Sequence, residues 1–220
     1  MDVMMFFRTL CAPVRALLFA LLALAFAGCF EFTQEYPEKR TYGLDLSRDM
    51  AGRSPVLDAV LKVRRMDISD RFAGRALIYR MDDVKWEADF YNEFLVPPAL
   101  NITEEVRRWL GRAKLFSQSV AVSSRLRASY VLEGEIHSLY GDFRERPAAV
   151  VEAQFFLLTP DSDLVFQRRY EQRVDLSSSS PEDLVQGFHT GLRRMLGELE
   201  QDLEKDLARS TPEDGDRPNQ

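Results

Sequence analysis

The sequence predicts an α+β domain, a mainly antiparallel sheet with two helices packed on one face. Short runs of alternating apolar and polar residues, separated by turn-forming residues, recur between positions 56 and 174. Two other stretches, 101–113 and 181–203, repeat their apolar residues at helical spacing. The resulting order is β-β-β-α-β-β-β-β-α, and consecutive strands joined by short turns pair antiparallel.

Residues 56–66 mix aliphatics with Lys62, Arg64 and Arg65, as a strand with one wet face does. Residues 76–81 and 84–91 make a hairpin around Asp82-Asp83, and Pro97-Pro98 then breaks the chain. The first helix starts with Asn101 as N-cap and Glu104 three residues on, a variant of the capping box. Its buried stripe is Ile102, Val106, Trp109, Leu110 and Ala113, with Glu104, Glu105, Arg107, Arg108 and Arg112 on the other face. Leu115-Phe116 leads into a strand around 119–123. In the strand 130–140, Tyr130, Leu132, Ile136 and Tyr140 share one face, and Glu133, Glu135 and His137 the other. Residues 148–158 are apolar except for Glu152 and Gln154, which places that strand centrally. A turn at 159–163 leads to the strand 164–174, with Leu164, Phe166, Tyr170 and Val174 inward. Ser180 caps the last helix and Pro181 takes its first position. Its stripe runs through Leu184, Phe188, Leu192, Met195, Leu196, Leu199 and Leu203.

Before this domain (56–208), residues 1–28 read as a signal peptide. Arg8 and Arg15 precede an apolar run at 16–27 (ALLFALLALAFA), of secretory length (~7–15) and short of a membrane span (~20). Ala27-Gly28-Cys29 is the junction that bacterial lipoprotein signal peptidase reads, so Cys29 is the expected lipidation site. Phe26 stands where Leu is the commoner residue. Phe30, rather than Asp, follows the cysteine, which implies sorting to the outer membrane, facing the periplasm. Residues 29–55 then form the lipidated N-terminus and tether, in which 42–46 has the alternation of a short strand. The tail 209–220 is too polar to bury anything.

Without residues 1–28 the chain holds 27 basic and 34 acidic residues, a net charge of −7. That balance argues against nucleic acid and against attraction to an anionic lipid surface. Cys11 leaves with the signal and lipid consumes Cys29, so no thiol remains for a disulfide, a metal site or a nucleophile. His137 and His189 lack metal-ligand neighbours at the required spacing and read as boundary histidines. Asp82/Asp83 reads as a turn and Glu133/Glu135 as a wet strand face, and the serines lack a G-x-S-x-G context. The sequence points away from an enzyme and calls for no cofactor or metal.

The pattern resembles the ABC-type transport auxiliary lipoprotein family, over about residues 42–205. The resemblance is carried by Tyr42-Gly43-Leu44, Leu61-Lys62-Val63, Leu77-Ile78-Tyr79-Arg80, Tyr130-Val131-Leu132-Glu133-Gly134-Glu135 and the run from Phe166 to Tyr170 before an amphipathic helix. The chain departs from many relatives at 89–98 (DFYNEFLVPP), before the first helix. The resemblance implies a periplasmic accessory of an ABC transporter that moves lipids between the two membranes. Its partners would be a mammalian-cell-entry (MCE) domain protein and the associated permease and ATPase. Phe90, Tyr91 and Phe94, three aromatics in five residues, are the expected partner contact. The alternative is a lipoprotein that carries lipid itself or assembles the envelope. A carrier needs an apolar cavity between sheet and helices, and a docking protein a filled core. A homo-oligomer stays open.

Overall fold

The structure is a computed structural model that describes residues 38–48 and 54–210; the expected signal peptide, Cys29 and the tail from 211 lie outside it. Along the described residues the order is β1 (Arg40–Tyr42), β2 (Leu57–Val63), β3 (Asp67–Ile68), a 3-10 turn (Asp70–Phe72), β4 (Ala76–Arg80) and β5 (Trp86–Phe94). Then come α1 (Pro98–Ala113), β6 (Phe116–Ala121), β7 (Tyr130–Asp142), β8 (Ala148–Leu158), β9 (Leu164–Asp175) and α2 (Pro181–Ser210).

The spine of the sheet is β7. On one side it pairs antiparallel with β8 over its whole length, and β8 pairs antiparallel with β9. On the other side β2, β3 and β4 lie end to end against successive parts of β7, each parallel to it. The sheet forks beyond them. One branch continues from β2 to β6 in parallel, the other from β4 to an antiparallel β5 and a parallel β1. The α+β class with two helices therefore stands, but the sheet is mixed rather than mainly antiparallel. Short turns dictate the pairing of consecutive strands only, whereas β2, β3 and β4 reach β7 through the long crossover that contains α1.

Both helices cover the same face. On β8 that face is Ala149, Val151, Ala153, Phe155 and Leu157, all at most 3% exposed. Glycines let the layers close up. A Cβ on Gly134 of β7 would lie 2.2 Å from Met66 Sδ, and one on Gly187 of α2 would lie 2.6 Å from the Ala149 Cβ. Phe116, Phe188, Leu184, Met195 and Leu110 fill the space between, each at most 1% exposed. The helix starts obey local chemistry in one case and not in the other. Ser180 Oγ accepts from the Asp183 N–H at 3.2 Å, and Pro181 follows, as expected. Helix α1 instead begins at Pro98 with Pro97 at its N-cap, so Asn101 is not the cap.

Three other expectations fail for identifiable reasons. The ladder between β7 and β8 steps from Ile136↔Ala153 to Ser138↔Glu152, which leaves His137 as a bulge. A bulge exchanges the faces, so Leu139 turns inward (2% exposed) and Tyr140 turns to the far side of the sheet, where it meets Trp86 at 4.9 Å and Phe72 at 5.9 Å. Leu164 is 56% exposed because it sits at the irregular start of β9, beyond the end of the helix-facing row. Helix α2 buries Leu207 (2%) and runs on to Ser210, two residues into the stretch read as tail.

The glycines of α2 separate helix propensity from packing. Alanine is favoured over glycine in a helix by ~1 kcal/mol, and Gly197 has open space around it. Gly197→Ala is expected to raise the melting temperature. Gly187→Ala forces a Cβ onto Ala149, and overpacking of ~1–3 kcal/mol outweighs the propensity gain, so the same substitution there lowers it. Two thermal melts against the parent chain check both signs.

Candidate functional site

The segment 40–48, expected as tether, is part of the domain. After β1 it runs as extended chain over the two helices, with Leu44 and Leu46 each 3% exposed. No strand pairs with it there, so its backbone groups need side-chain partners, and the helices supply them. Asn101 Oδ1 accepts from the Leu44 N–H at 3.1 Å, while Asn101 Nδ2 donates to the Leu44 carbonyl at 2.9 Å. Glu105 Oε2 accepts from the Leu46 N–H at 2.8 Å, and Arg112 donates to the Arg48 carbonyl at 3.0 Å. From α2, His189 Nε2 donates to the Gly43 carbonyl at 3.1 Å and Arg193 to the Ser47 carbonyl at 2.8 Å.

Glu105 is only 1% exposed beneath this strap, although the sequence places it on a wet face; it also accepts from Arg108 at 2.6 Å. Where α1 and α2 meet, Glu200 joins the layers, accepting from Trp109 Nε1 at 2.9 Å and from Arg48 at 3.2 Å. At the upstream end the Tyr42 hydroxyl donates to Glu182 at 2.9 Å, beside an Arg40–Glu182 pair at 3.0 Å. Sequence reading missed these clamps, but a signal exists. Asn101, Glu105, Arg108 and Arg112, and likewise His189, Arg193 and Glu200, recur at three-, four- and seven-residue steps, a polar stripe on each helix.

The expected contact residues separate. Phe94 is 3% exposed and packs against Phe188 at 6.1 Å, so it belongs to the core and not to a partner surface. Phe90 is 70% exposed and Tyr91 half-buried, their rings 5.1 Å apart edge to face. A built knuckle presents them. Between the pairs Ile78↔Ala88 and Ala76↔Glu93, β5 carries four residues against one on β4. Asp89 holds this bulge: its Oδ1 accepts from the Tyr91 and Asn92 N–H groups at 2.8 and 2.9 Å, and its Oδ2 from the Tyr79 hydroxyl at 2.7 Å. Burial alone would push the Asp89 carboxyl up, but hydrogen bonds from Tyr79 and Asn92 keep it below the ordinary range.

A polar cleft of about 540 Å³ lies by Asp82, Asp83, Asp142, Arg144 and Arg173. Asp142 is 1% exposed. Hydrogen bonds from Arg144 hold its carboxyl well below the usual carboxylate range, against desolvation, and Arg173 adds a further bond at 2.8 Å. With both arginines committed to one buried carboxylate, the cluster is a structural clamp. No group of three or more metal-ligating side chains occurs among the described residues.

Residues 42–200 match the profile of the ABC-type transport auxiliary lipoprotein component. The chain belongs to that family. A family lipoprotein is a membrane-anchored protein of the cell envelope that assists transport, and the matched span begins at Tyr42, inside the strap. A solved protein of Xanthomonas campestris, assigned to DUF330, superposes with a TM-score of 0.68 at 18% identity, over 78% of this lipoprotein and 100% of that chain. A second solved structure, of an uncharacterized protein, gives 0.62 at 16%, over 76% and 99%. At such identities both likenesses concern the fold alone. No curated protein matches the sequence.

Asn101 and Glu104 differ in what their loss exposes. Asn101→Ala strips both backbone groups of the buried Leu44 of partners, and each group left unsatisfied costs ~1–3 kcal/mol. Glu104 makes a surface pair with Arg107, worth ~0–1 kcal/mol. Urea unfolding is expected to show a clear fall in stability for Asn101→Ala and almost none for Glu104→Ala.

Proposed function

We propose that this lipoprotein is the outer-membrane-anchored docking component of an MCE-type ABC transporter that moves lipids between the inner and outer membranes. Lipid on Cys29 would hold it at the membrane, and the domain would face the periplasm. The observation that carries the reading is the filled layer between sheet and helices, together with an N-terminal segment strapped onto those same helices. Leu61, Leu77, Leu132, Leu157, Phe188 and Leu199, each fully buried there, leave no room for acyl chains. The described clefts open on charged side chains instead, such as Asp142 with Arg144 and Arg64 with Glu133. A filled core supports docking over carriage.

Docking needs a rigid presenting surface, and the strap supplies one by joining the anchored end to both helices. Of the three expected contact residues, Tyr91 on the β5 knuckle is the one left as a candidate for the partner, with Phe94 serving as core support beneath. Affinity capture through a C-terminal tag, from detergent-solubilised envelopes after mild crosslinking, is expected to recover an MCE-domain protein. Recovery of this chain alone, with phospholipid bound to the purified protein, would replace docking with carriage.

A further inference from the structure

The outer face of β5, on the side of the sheet away from the helices, is apolar and carries cations on its rings. Trp86, Ala88 and Phe90 alternate with Glu87 and Asp89 along the strand. Trp86 pairs with Arg80 and Ala88 with Ile78, while Glu87 lies opposite the inward-facing Tyr79. Ala88 and Phe90 are both exposed. Lys39 Nζ stands 4.8 Å from the centre of the Phe90 ring, and the Arg71 and Arg80 guanidinium groups lie 4.3 and 5.4 Å from Trp86.

The short length of chain between this face and the expected anchor is a second, independent argument. Lys39 follows the first described residue, Glu38, so the chain leading back to Cys29 departs beside the Phe90 ring. Glu38 lies nine positions after Cys29, a reach of at most ~32 Å when fully extended. Lipid on Cys29 would thus keep the β5 face within about a domain's width of the bilayer.

We propose that the outer face of β5 rests on the lipid surface to which the chain is anchored, with Phe90 seated at headgroup level. The proposal rests on the reading of Cys29 as the lipid anchor. Rings flanked by Arg and Lys are the side-chain chemistry of a membrane–water boundary. The ring takes the apolar side, and the cation's long stem lies along it while the charge stays wet. The net charge of −7 is spread over the whole domain, and exposed charges act over a screening length of only ~8 Å; the charges over the rings are Arg71 and Arg80 at Trp86, and at Phe90 Lys39, which also pairs with Glu93 at 4.0 Å. The anchor supplies high effective concentration, so a small apolar face suffices to orient the domain. The helices, on the opposite side of the sheet, would then point into the periplasm.

The test uses the mature lipidated chain, in which an introduced cysteine is the only free thiol because Cys11 is removed and Cys29 acylated. Ala88→Cys, and Arg194→Cys on the exposed side of α2 as control, are each labelled with an environment-sensitive fluorophore. Both proteins are reconstituted on vesicles of phosphatidylethanolamine with a minority of phosphatidylglycerol, carrying headgroup nitroxide lipid. The probe at 88 should be quenched several-fold more than the probe at 194. Phe90→Glu in the Ala88→Cys background should abolish that excess while the protein still floats with the vesicles and melts unchanged. Equal quenching at the two sites overturns the proposal. So does a response at 88 that appears only when an MCE-domain protein is added, which would make the face a protein contact. If the parent chain does not float at all, the anchor reading fails and takes the proposal with it.

Discussion

The structure depends on a segment without a strand partner being held by side chains from two helices. Extended chain from Gly43 to Arg48 has backbone donors and acceptors that cannot be left dry, and Asn101, Glu105, Arg112, His189 and Arg193 meet them. One asparagine amide matches both polar groups of Leu44, as an adjacent strand would. With the strap seated, Leu44 and Leu46 close the core from outside, and Glu105 can be buried because its oxygens are occupied. Remove the strap, and α1 and α2 would expose both an apolar seam and a carboxylate.

That constraint also sets where the N-terminal segment enters the domain. β1 pairs with the last residues of β5, just past the Asp89 knuckle, so strap, knuckle and Phe90 form one mechanical unit. The described chain thus enters the domain at a defined place, built into the edge of the sheet and strapped to both helices.

Much of the fold was legible in the sequence because period-two and helical repeats report burial directly. The strands at 76–80, 148–158 and 164–175 and the helix at 181 follow from alternation, turn residues and the Ser180-Pro181 cap. What escaped involves long-range pairing. The parallel contacts of β2, β3 and β4 with β7 depend on a crossover, about which local pattern says nothing. The bulge at His137 shifts the face of every later residue in β7, which is why Tyr140 and Leu139 exchange places. Asn101 and Glu105 look like a cap and a surface acid until a distant segment needs their amide and carboxylate. Of the three aromatics in five residues, the Asp89 bulge exposes Phe90 while the return to regular pairing buries Phe94.

The central claim is that the strap belongs to the cooperative fold and is not a tether resting on it. Amide hydrogen exchange of the full chain, resolved at Leu44 and Leu46, tests this most directly, since protection reports the free energy of opening each bond. If the claim holds, both amides exchange as slowly as those of Val106 and Leu110 in α1 and lose protection only with global unfolding. Exchange at the rate of an exposed loop, while the α1 amides stay protected, would contradict it.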